Sequence, residues 1–278
     1  MLLCARAKLN LSLAVTGQRR DGYHTIDSIF HTVDFCDLVE VMPASAPSFQ
    51  CEPQMGPPER NLALRAARAF FAEADKRFPV SIRIDKRIPP QAGLGGGSAD
   101  AAAVLNALDT LFPRFVSRQT LSAIALSLGA DVPFLLAGGT ARARGIGEDI
   151  LPLYPPEPFF FVILQPEGGL STPEVYRAYD AMPKPPMVDF ESAAQAICAG
   201  DISAFAAAAG NMLAPCAAAL MPQIDQAVDD LYACGAIYAQ MTGSGSAVFG
   251  MFENAMAAET ARLSLHKKYP FCVCAVSA

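Results

Sequence analysis

One stretch decides the fold: Ile88-Pro89-Pro90-Gln91-Ala92-Gly93-Leu94-Gly95-Gly96-Gly97-Ser98-Ala99-Asp100. It holds four glycines within five positions, and an alanine-rich run to Leu108 follows it. The residues before it, 80–84, alternate apolar and polar as a half-buried strand should. The predicted order is therefore strand, glycine loop, helix. Because the first N–H groups of a helix lack intrahelical partners and lie at the positive end of the macrodipole, this order favours a bound anion such as a polyphosphate.

The sequence of the loop excludes two common phosphate-binding motifs. A Walker loop requires a lysine after its last glycine, and no lysine follows these glycines. The dinucleotide fingerprint requires a glycine at its sixth position, but the sixth residue counted from Gly93 is Ser98. A tight strand-to-helix connection without phosphate is the alternative, although the cluster is longer than such a turn requires. The stretch therefore predicts a nucleotide-phosphate cradle of another kind.

The composition indicates a folded protein of the cytosol. Hydrophobic residues make up 52% of the 278 residues and charged residues 17%, which argues against disorder. The net charge of −6 argues against an extended nucleic-acid surface. The eight cysteines include no Cys-x-x-Cys pair, so zinc ligation is not predicted, and scattered thiols without a secretion signal fit a reducing compartment. Charges at Arg6 and Lys8 interrupt any signal-peptide core, and the apolar run 159–164 is too short to span a bilayer. We therefore expect a cytoplasmic protein that contacts neither membrane nor nucleic acid.

Periodicity predicts the other elements. Alternation over 5–15 predicts a strand with one apolar face and one polar face, the latter carrying Lys8 and Asn10. The proline-rich segments 43–58 and 151–158 predict, respectively, an irregular surface loop and a boundary between two domains. The remaining predictions are a turn at 17–22, strands at 25–42, 159–164 and 247–252, and helices at 61–77, 121–128, 190–209 and 222–234.

Two charged residues are candidates for phosphoryl transfer, which needs charge neutralisation and a group that accepts the hydroxyl proton. Asp131 lies among apolar residues just after a predicted helix, but an aspartate shortly before Pro133 is also a common helix N-cap. Lys8 shares a strand face with Asn10, so both side chains can reach one site. A solvated lysine on an edge strand is the alternative. From the residues alone, both assignments stay open.

Several segments resemble those of the GHMP kinase family, named for galactokinase, homoserine, mevalonate and phosphomevalonate kinases. Pro-x-x-x-Gly-Leu-Gly-Gly-Gly-Ser-Ala at 89–99 is similar to the family signature, and its additional glycine is typical of one branch, whose substrate carries a cytidine. The resemblance runs from residue 5 to about 252. The segments that carry it besides the loop are Lys8-x-Asn10, Gly22-Tyr23-His24, Gly129-x-Asp131-Val132-Pro133, Ser171-Thr172-Pro173 with Tyr176, and Met241-Thr242-Gly243-Ser244-Gly245.

The resemblance implies an α+β, two-lobed GHMP kinase fold, with a ribosomal protein S5 domain 2-like N-terminal lobe and a ferredoxin-like C-terminal lobe. We accordingly predict an N-terminal ATP-binding domain over 1–152 and a C-terminal domain over 153–278. The implied reaction is ATP-dependent, Mg²⁺-assisted phosphorylation of a small molecule. For the cytidine branch, the acceptor is the 2-hydroxyl of a cytidine diphosphate-linked methylerythritol, in non-mevalonate isoprenoid biosynthesis. We expect the enzyme to be a monomer or a weak homodimer.

The resemblance also implies residue roles. Asp131 would accept the hydroxyl proton, and Lys8 would keep that carboxylate ionised and stabilise the developing alkoxide. The residues implied to bind ATP are Asn61, Pro89, Pro90, Gln91, Ala92, Gly93, Leu94, Gly95, Gly96, Gly97, Ser98 and Ala99, with Ser98 as the candidate Mg²⁺ ligand. The residues implied to bind the substrate are Asn10, Tyr23, His24, Thr172, Tyr176, Gly243 and Ser244. Aromatic side chains are expected to stack on both faces of the base.

Structural interpretations of some of these residues stay open. Asn61 heads a predicted helix and could be its N-cap, whether or not it also lies near adenine. Tyr176 could be ordinary packing, and 241–247 could be a flexible turn rather than a wall for phosphates. The glutamate that many relatives use for Mg²⁺ cannot be placed, and Arg142 and Arg144 have no assigned role. The functional alternatives are another GHMP kinase, of homoserine or mevalonate type, and a catalytically silent metabolite sensor.

Overall fold

The structure, a computed structural model, describes residues 1–76, 78–183, 185 and 187–278. Strands and helices are mixed along these residues, which confirms the predicted α+β class. The strands are β1 (Leu2–Gln18), β2 (His24–Pro43), β3 (Ser48–Glu52), β4 (Val80–Asp85), β5 (Thr140–Gly145), β6 (Asp149–Leu153), β7 (Phe160–Gln165), β8 (Tyr238–Met241), β9 (Val248–Phe252) and β10 (Phe271–Val276). The α-helices are α1 (Leu62–Glu73), α2 (Gly96–Leu111), α3 (Arg118–Leu128), α4 (Val132–Ala137), α5 (Thr172–Ala181), α6 (Phe190–Ala199), α7 (Ile202–Ala208), α8 (Ala214–Leu220), α9 (Gln223–Ala233) and α10 (Ala255–Leu265).

The chain forms two compact units that are interleaved in sequence. Unit 1 consists of Met1–Ala7, Phe35–Ile88 and Gly95–Gly138. Unit 2 consists of Lys8–Asp34, Pro89–Leu94 and Gly139–Ala278. Strands β1 and β2 and the glycine loop therefore each contribute residues to both units. The division into an N-terminal domain ending at residue 152 and a C-terminal domain beginning at residue 153 stays a prediction.

Unit 1 packs helices α1 to α4 together and pairs β4 antiparallel with residues 38–43 of β2 and parallel with β3. Helix α1 buries Ala63, Ala66, Ala67 and Phe70, the i, i+3, i+4, i+7 spacing of one helical face. Helix α2 is buried on most sides, and five of its nine buried residues are alanines. Small side chains let α1 lie directly against it, and this packing fixes the start of α2, where the glycine loop ends.

Unit 2 contains an antiparallel sheet in the order β10-β7-β9-β8, with α9 and α10 packed against it. Strand β7 is buried along nearly its whole length, as its continuous apolar sequence predicts for an interior strand. Strand β5 pairs antiparallel with residues 26–31 of β2 and with β6. No helix among the described residues is both long enough and apolar enough to cross a bilayer.

Three predictions about strands and loops need correction. The predicted loop 43–58 contains β3, because Ser48–Glu52 pairs with β4, a long-range contact that overrides the local proline content. The predicted boundary segment 151–158 begins inside β6, which tolerates Pro152 because it is an edge strand. The predicted turn at 17–22 is shorter, since β1 continues through Gln18.

Two helix predictions also change. The helix predicted over 61–77 ends at Glu73, and Asp75 has a positive φ of 47°, which is incompatible with continuing the helix. Its predicted last residue, Arg77, lies outside the described residues. The helix predicted over 190–209 is two helices, because Gly200 takes the left-handed conformation and the Asp201 side chain caps α7.

His31 is a buried, uncharged histidine in unit 2. Its ring nitrogens pair with the Thr140 hydroxyl at 2.8 Å and the Ser277 hydroxyl at 3.0 Å. Desolvation by burial lowers the pKa of His31 from 6.5 to about 4. The histidine therefore ties β2 to β5 and to the C-terminal residues as a neutral group.

This buried histidine predicts a loss of stability in acid. Because the folded-state pKa lies below the unfolded value, the unfolded chain takes up the proton first, and stability falls between about pH 6.5 and pH 4. From pH 7 to pH 5 the histidine should remove about 2 kcal/mol from the free energy of unfolding. Urea unfolding of wild type and His31→Gln at both pH values measures the difference. An equal pH dependence in the two proteins would contradict a neutral His31.

Candidate active site

The glycine loop delivers the chain to the start of α2 in the predicted order of strand, loop and helix. Gly93 and Gly95 have φ values of +74° and +71°, a region that glycine enters without strain. Gly95 occupies the N-cap position, and none of the described side chains caps the helix there. The first-turn N–H groups of α2 can therefore hydrogen-bond to an anion, as the sequence predicts.

In unit 2, the first part of the glycine loop docks on the turn at 241–247. Ala247 N donates to Ala92 O at 3.1 Å, and Ser246 N donates to Gln91 O at 3.3 Å. A Cβ placed on Gly93 would lie only 2.3 Å from the carbonyl oxygen of Thr242. This second glycine motif is therefore not a free turn, because it packs against the glycine loop, and its role as a wall for phosphates stays a prediction.

This close approach makes Gly93 intolerant of a side chain. We expect Gly93→Ala to weaken binding of the predicted nucleotide, ATP, at least about tenfold as measured by its KM. It should also destabilise the protein by clearly more than the roughly 1 kcal/mol of a positive-φ glycine replacement. Gly139→Ala is the matched control, because Gly139 has φ +81° and no described atom lies within 4 Å of its Cβ position. Kinetics and thermal unfolding of both variants provide the comparison. Equal effects of the two substitutions would show that the contact with Thr242 is unimportant.

Lys8 and Asn10 lie in a buried polar network, not on a solvated edge. They are 4% and 2% exposed, and the Lys8 ammonium donates to Asn10 Oδ1. Asn10 Nδ2 donates to Ser28 Oγ and Asn10 N to Thr242 Oγ1, both at 2.9 Å. Lys8 N also donates to Leu94 O at 3.0 Å, which joins this strand to the glycine loop. The solvated-lysine interpretation is therefore wrong: residues from β2 and the 241–247 turn cover the polar face and satisfy it.

Asn211 holds the 241–247 turn, a role that no sequence motif indicates. Its side-chain NH₂ donates to Met241 O and Gly243 O, each at 2.8 Å, and its Oδ1 accepts from Leu213 N at 2.9 Å. A Cβ on Gly243 would lie 3.2 Å from Asn10 Oδ1, so the turn that Asn211 holds lies directly against the Lys8 network. Asn211 belongs to no recognisable motif, so its contacts with this turn could not be predicted from the sequence.

Asp131 lies in unit 1, at the N-cap position of α4. Its φ and ψ of −79° and −19° are helical, and its side chain makes no capping hydrogen bond. The N-cap interpretation therefore does not account for this aspartate. Two residues earlier, a Cβ on Gly129 would lie 3.8 Å from Ser98 Oγ. The segment that carries Asp131 thus runs past the first turn of α2.

Asn61 is the N-cap of α1, as one of its two interpretations proposed. Its side chain accepts a hydrogen bond from Ala63 N at 2.9 Å. The next residue, Leu62, has its Cδ1 3.7 Å from the position of a Cβ on Gly97. The head of α1 therefore lies against the first turn of α2, and a contact with adenine stays a prediction.

The predicted base-binding residues cluster in unit 2, with one unexpected feature. The rings of His24 and Tyr176 stack directly on each other, with centroids 4.6 Å apart and an angle of 22°. His24 Nε2 also pairs with Asp180 Oδ1 at 2.9 Å. A base inserted between the two rings would need roughly twice that spacing. Tyr23, by contrast, is 66% exposed, so its ring can receive a base without displacing a neighbour.

Helix α5 brings a further predicted pair together. Thr172, its first residue, hydrogen-bonds through Oγ1 to Ser244 Oγ at 2.8 Å. The same helix carries Tyr176 one turn later. The Thr-Pro segment and the second glycine turn, separated by about seventy residues in sequence, are therefore neighbours in unit 2.

Arg142 and Arg144 have structural partners. Arg142 binds Asp27 through Nε at 2.9 Å and Nη2 at 2.7 Å, and reaches Glu191 at 3.3 Å. The paired Asp27 carboxylate raises the pKa of Arg142. Arg144 pairs with Asp149 at 2.9 Å on the surface. These ion pairs join β5 to β2, to α6 and to β6, which answers the question that the sequence left open.

A cavity of about 930 Å³ in unit 1 lies apart from the predicted chemistry. It is lined by Pro47, Ser48, Phe49, Leu64, Ala67, Arg68, Phe71, Ala72, Asp75, Lys76, Phe78, Val80 and Ile82. None of these is a predicted site residue, although cavities of this size are the usual place to look for a ligand. The predicted site residues lie instead around the glycine loop and the 241–247 turn.

Two family models match the chain, "GHMP kinases N terminal domain" at residues 61–139 and "GHMP kinases C terminal" at residues 193–270. Together they cover more than half of its length. The chain belongs to the GHMP kinase family. This confirms the resemblance drawn from the glycine loop and the other segments, and with it the predicted two-domain GHMP kinase fold.

Within the GHMP kinases, several relatives that are similar to this chain carry the same name. A protein of Pelotomaculum thermopropionicum named 4-diphosphocytidyl-2-C-methyl-D-erythritol kinase is 41% identical over 250 residues, covering 89% of this chain and 87% of its own. A relative of the same name from Rhizobium etli is 40% identical and covers 96% and 90%. The crystal structure of a 4-(cytidine 5'-diphospho)-2C-methyl-D-erythritol kinase superimposes with a TM-score of 0.86 at 36% identity over 100% of both chains. Homoserine kinase from Cytophaga hutchinsonii, at TM-score 0.74 and 17% identity, shares the fold.

Proposed function

We propose that this GHMP kinase transfers the γ-phosphate of ATP to the 2-hydroxyl of 4-diphosphocytidyl-2-C-methyl-D-erythritol, a step of non-mevalonate isoprenoid biosynthesis. The observation that carries the proposal is the similarity, at about 40% identity over nearly nine tenths of the chain, to kinases named for that substrate. The fold alone supports a phosphotransferase but leaves the acceptor open, because homoserine kinase has the same fold.

The glycine loop would bind the triphosphate. The amides at the start of α2 would donate to its phosphates, and the left-handed glycines 93 and 95 would let the backbone approach them closely. Hydrogen bonds from the 241–247 turn hold the loop in that conformation before nucleotide binds. Such preorganisation lowers the cost of binding, since the loop need not be ordered by the ligand.

Lys8 and Asp131 would act on the acceptor hydroxyl. Asp131 is the general base that takes the hydroxyl proton as its oxygen attacks the γ-phosphorus. Lys8 is a buried ammonium whose attraction for the developing negative charge is strengthened by the absence of bulk water around it. Asn10 holds the Lys8 side chain in place, and its backbone N–H donates to Thr242 Oγ1, which in turn donates to Gly93 O of the glycine loop at 3.5 Å.

The donor chemistry at Ser98 fits Mg²⁺. Its hydroxyl is a hard oxygen ligand on the first turn of α2, and Mg²⁺ usually takes one or two protein oxygens together with phosphate oxygens and water. Within the described part of the chain no group of three His, Cys, Asp or Glu side chains could ligate a metal. Mg²⁺ held by Ser98 and the phosphates would neutralise charge on the transferred group.

The acceptor would be recognised through its cytosine. Tyr23, His24 and Tyr176 supply aromatic faces, while Asn10, Thr172, Gly243 and Ser244 supply polar groups in the same unit. Homoserine and mevalonate carry no base, so a kinase acting on either would have no use for this aromatic group. A catalytically silent sensor is disfavoured because both Lys8 and Asp131 are present.

The proposal is tested by measuring ADP release with three acceptors, the cytidylated methylerythritol, homoserine and mevalonate, each at saturating ATP and Mg²⁺. We expect turnover with the first and none above background with the others. Turnover with homoserine or mevalonate alone would overturn the assigned substrate while keeping the family. ATP binding without turnover of any acceptor would favour the sensor.

A further inference from the structure

A buried ion cluster lies in unit 1 beside the glycine loop, and none of the family segments contains its lysine. Lys86 follows β4, and its ammonium donates to Asp37 of β2 and, at 2.7 Å, to Asp100 of α2. The three side chains are 8%, 0% and 2% exposed, respectively. One lysine thus connects two strands of unit 1 to the helix that begins at the loop.

The two carboxylates are satisfied unequally. Asp37 Oδ1 accepts from Arg87 N at 2.5 Å and Ile88 N at 2.8 Å, the residues that lead into the glycine loop. Asp100 is bound only through Oδ2, and its buried Oδ1 has no partner among the described residues. Lys86 therefore hydrogen-bonds the Asp100 carboxylate to the end of β4. Removing a buried cation that two carboxylates share leaves uncompensated charge, so the loss of Lys86 should be costly.

The cluster lies directly under the predicted phosphate-binding turn. A Cβ on Gly96 would be 3.3 Å from Lys86 Nζ and 3.0 Å from Ile88 Cγ2. Gly96 and Asp100 are four residues apart and so occupy the same face of α2. Lys86 therefore meets that face twice, by contact at Gly96 and by an ion pair at Asp100. The absence of a Cβ at position 96 is what lets the helix lie so close to the ammonium.

We propose that Lys86 is a positioning residue for ATP, which sets the first turn of α2 through Asp37 and Asp100 so that the amides of Gly96, Gly97 and Ser98 meet the phosphates. Lys86 does not itself touch the nucleotide in this role. The inference rests on the proposed function only in taking ATP as the ligand. Its physical basis is that amide hydrogen bonds to phosphate lose strength with displacements of about 0.5 Å, which loss of the tie would permit.

The test separates phosphate positioning from general stability by comparing two ligands, a non-hydrolysable ATP analogue with Mg²⁺ and adenosine. The variants are Asp100→Ala, which cuts the tie to α2 and leaves Lys86 paired with Asp37, and Lys86→Met, which breaks both ion pairs. Lys267→Met, on the surface, controls for the loss of a lysine. Calorimetry gives the Kd of each ligand, and circular dichroism confirms folding.

We expect Asp100→Ala to weaken binding of the ATP analogue at least about tenfold while changing adenosine affinity less than about twofold. Asp100→Asn, which keeps an oxygen for Lys86, should recover most of that loss. Lys86→Met should match or exceed Asp100→Ala where it folds. The proposal is overturned if folded Asp100→Ala binds the ATP analogue like wild type, or if both ligands weaken equally. Because no acceptor is used, failure to phosphorylate the cytidylated substrate would not affect this result.

Discussion

Asp131→Asn is expected to lower kcat by about 10²- to 10⁴-fold, because asparagine has the shape of aspartate but cannot take up the hydroxyl proton. The KM values for ATP and acceptor should change little. Asp131 makes no capping hydrogen bond to α4, so the substitution removes no helix cap. The value of kcat is compared with wild type at a temperature where the melting curve shows the variant fully folded. Steady-state kinetics and thermal unfolding measure both quantities.

The control for Asp131→Asn is Asp225→Asn, an exposed aspartate in the first turn of α9. It loses the same charge away from the proposed chemistry and should keep wild-type turnover. Turnover of Asp131→Asn close to that of wild type would remove this residue from the mechanism. A drop in kcat with an equally large drop in stability would assign Asp131 a structural role instead.

Lys8→Met should lower kcat by about 10²- to 10³-fold, the usual effect of removing one group that stabilises developing negative charge. Methionine retains the length of the side chain but leaves Asn10 Oδ1 without its donor. That lost hydrogen bond should cost about 1–3 kcal/mol of folding free energy. The catalytic loss and the stability loss are therefore measured separately, by kinetics at a temperature where the variant is fully folded and by urea unfolding.

Asn10→Ala helps to interpret the lysine variant, since it breaks the same hydrogen bond while keeping the ammonium. If Lys8 acts only by packing, both variants should lose similar amounts of activity. If its charge acts on the reaction, Lys8→Met should be the more damaging by at least about tenfold. Lys267→Met again controls for the loss of a surface lysine. A Lys8→Met variant with near-wild-type kcat would contradict the proposed role.

The sequence predicted well those features that depend on local order. The glycine loop, the strand before it and the helix after it follow from residue types within about thirty positions, because backbone amides at a helix start need no distant partner to be recognised. The N-cap role of Asn61 was likewise one of two interpretations available from its position alone. The sequence also correctly predicted a strand over 5–15 that carries Lys8 and Asn10 on one face.

What covers that face could not be predicted, because periodicity says which side chains share a face and not what packs against it. Asn10, which accepts a hydrogen bond from Lys8, is itself bound through its backbone N–H to Thr242, more than two hundred residues away. The same limit explains Asn211 and Lys86, whose roles arise from carbonyls and carboxylates brought together by the fold. Strand β3 escaped prediction because its pairing with β4 outweighs the prolines around it. The direct stacking of His24 on Tyr176 is a tertiary contact of the same kind.

The most direct measurement of the central claim is a proton-coupled ³¹P NMR spectrum of the product formed from ATP and 4-diphosphocytidyl-2-C-methyl-D-erythritol. The acceptor carbon bears a methyl group and no hydrogen, so a phosphate on the 2-hydroxyl has no three-bond coupling to a carbinol proton. The account predicts one new phosphomonoester signal, a singlet, with the diphosphate signals of the cytidylated moiety retained. A doublet or triplet would show transfer to another hydroxyl, and the absence of a new signal alongside intact ATP would contradict the proposed reaction.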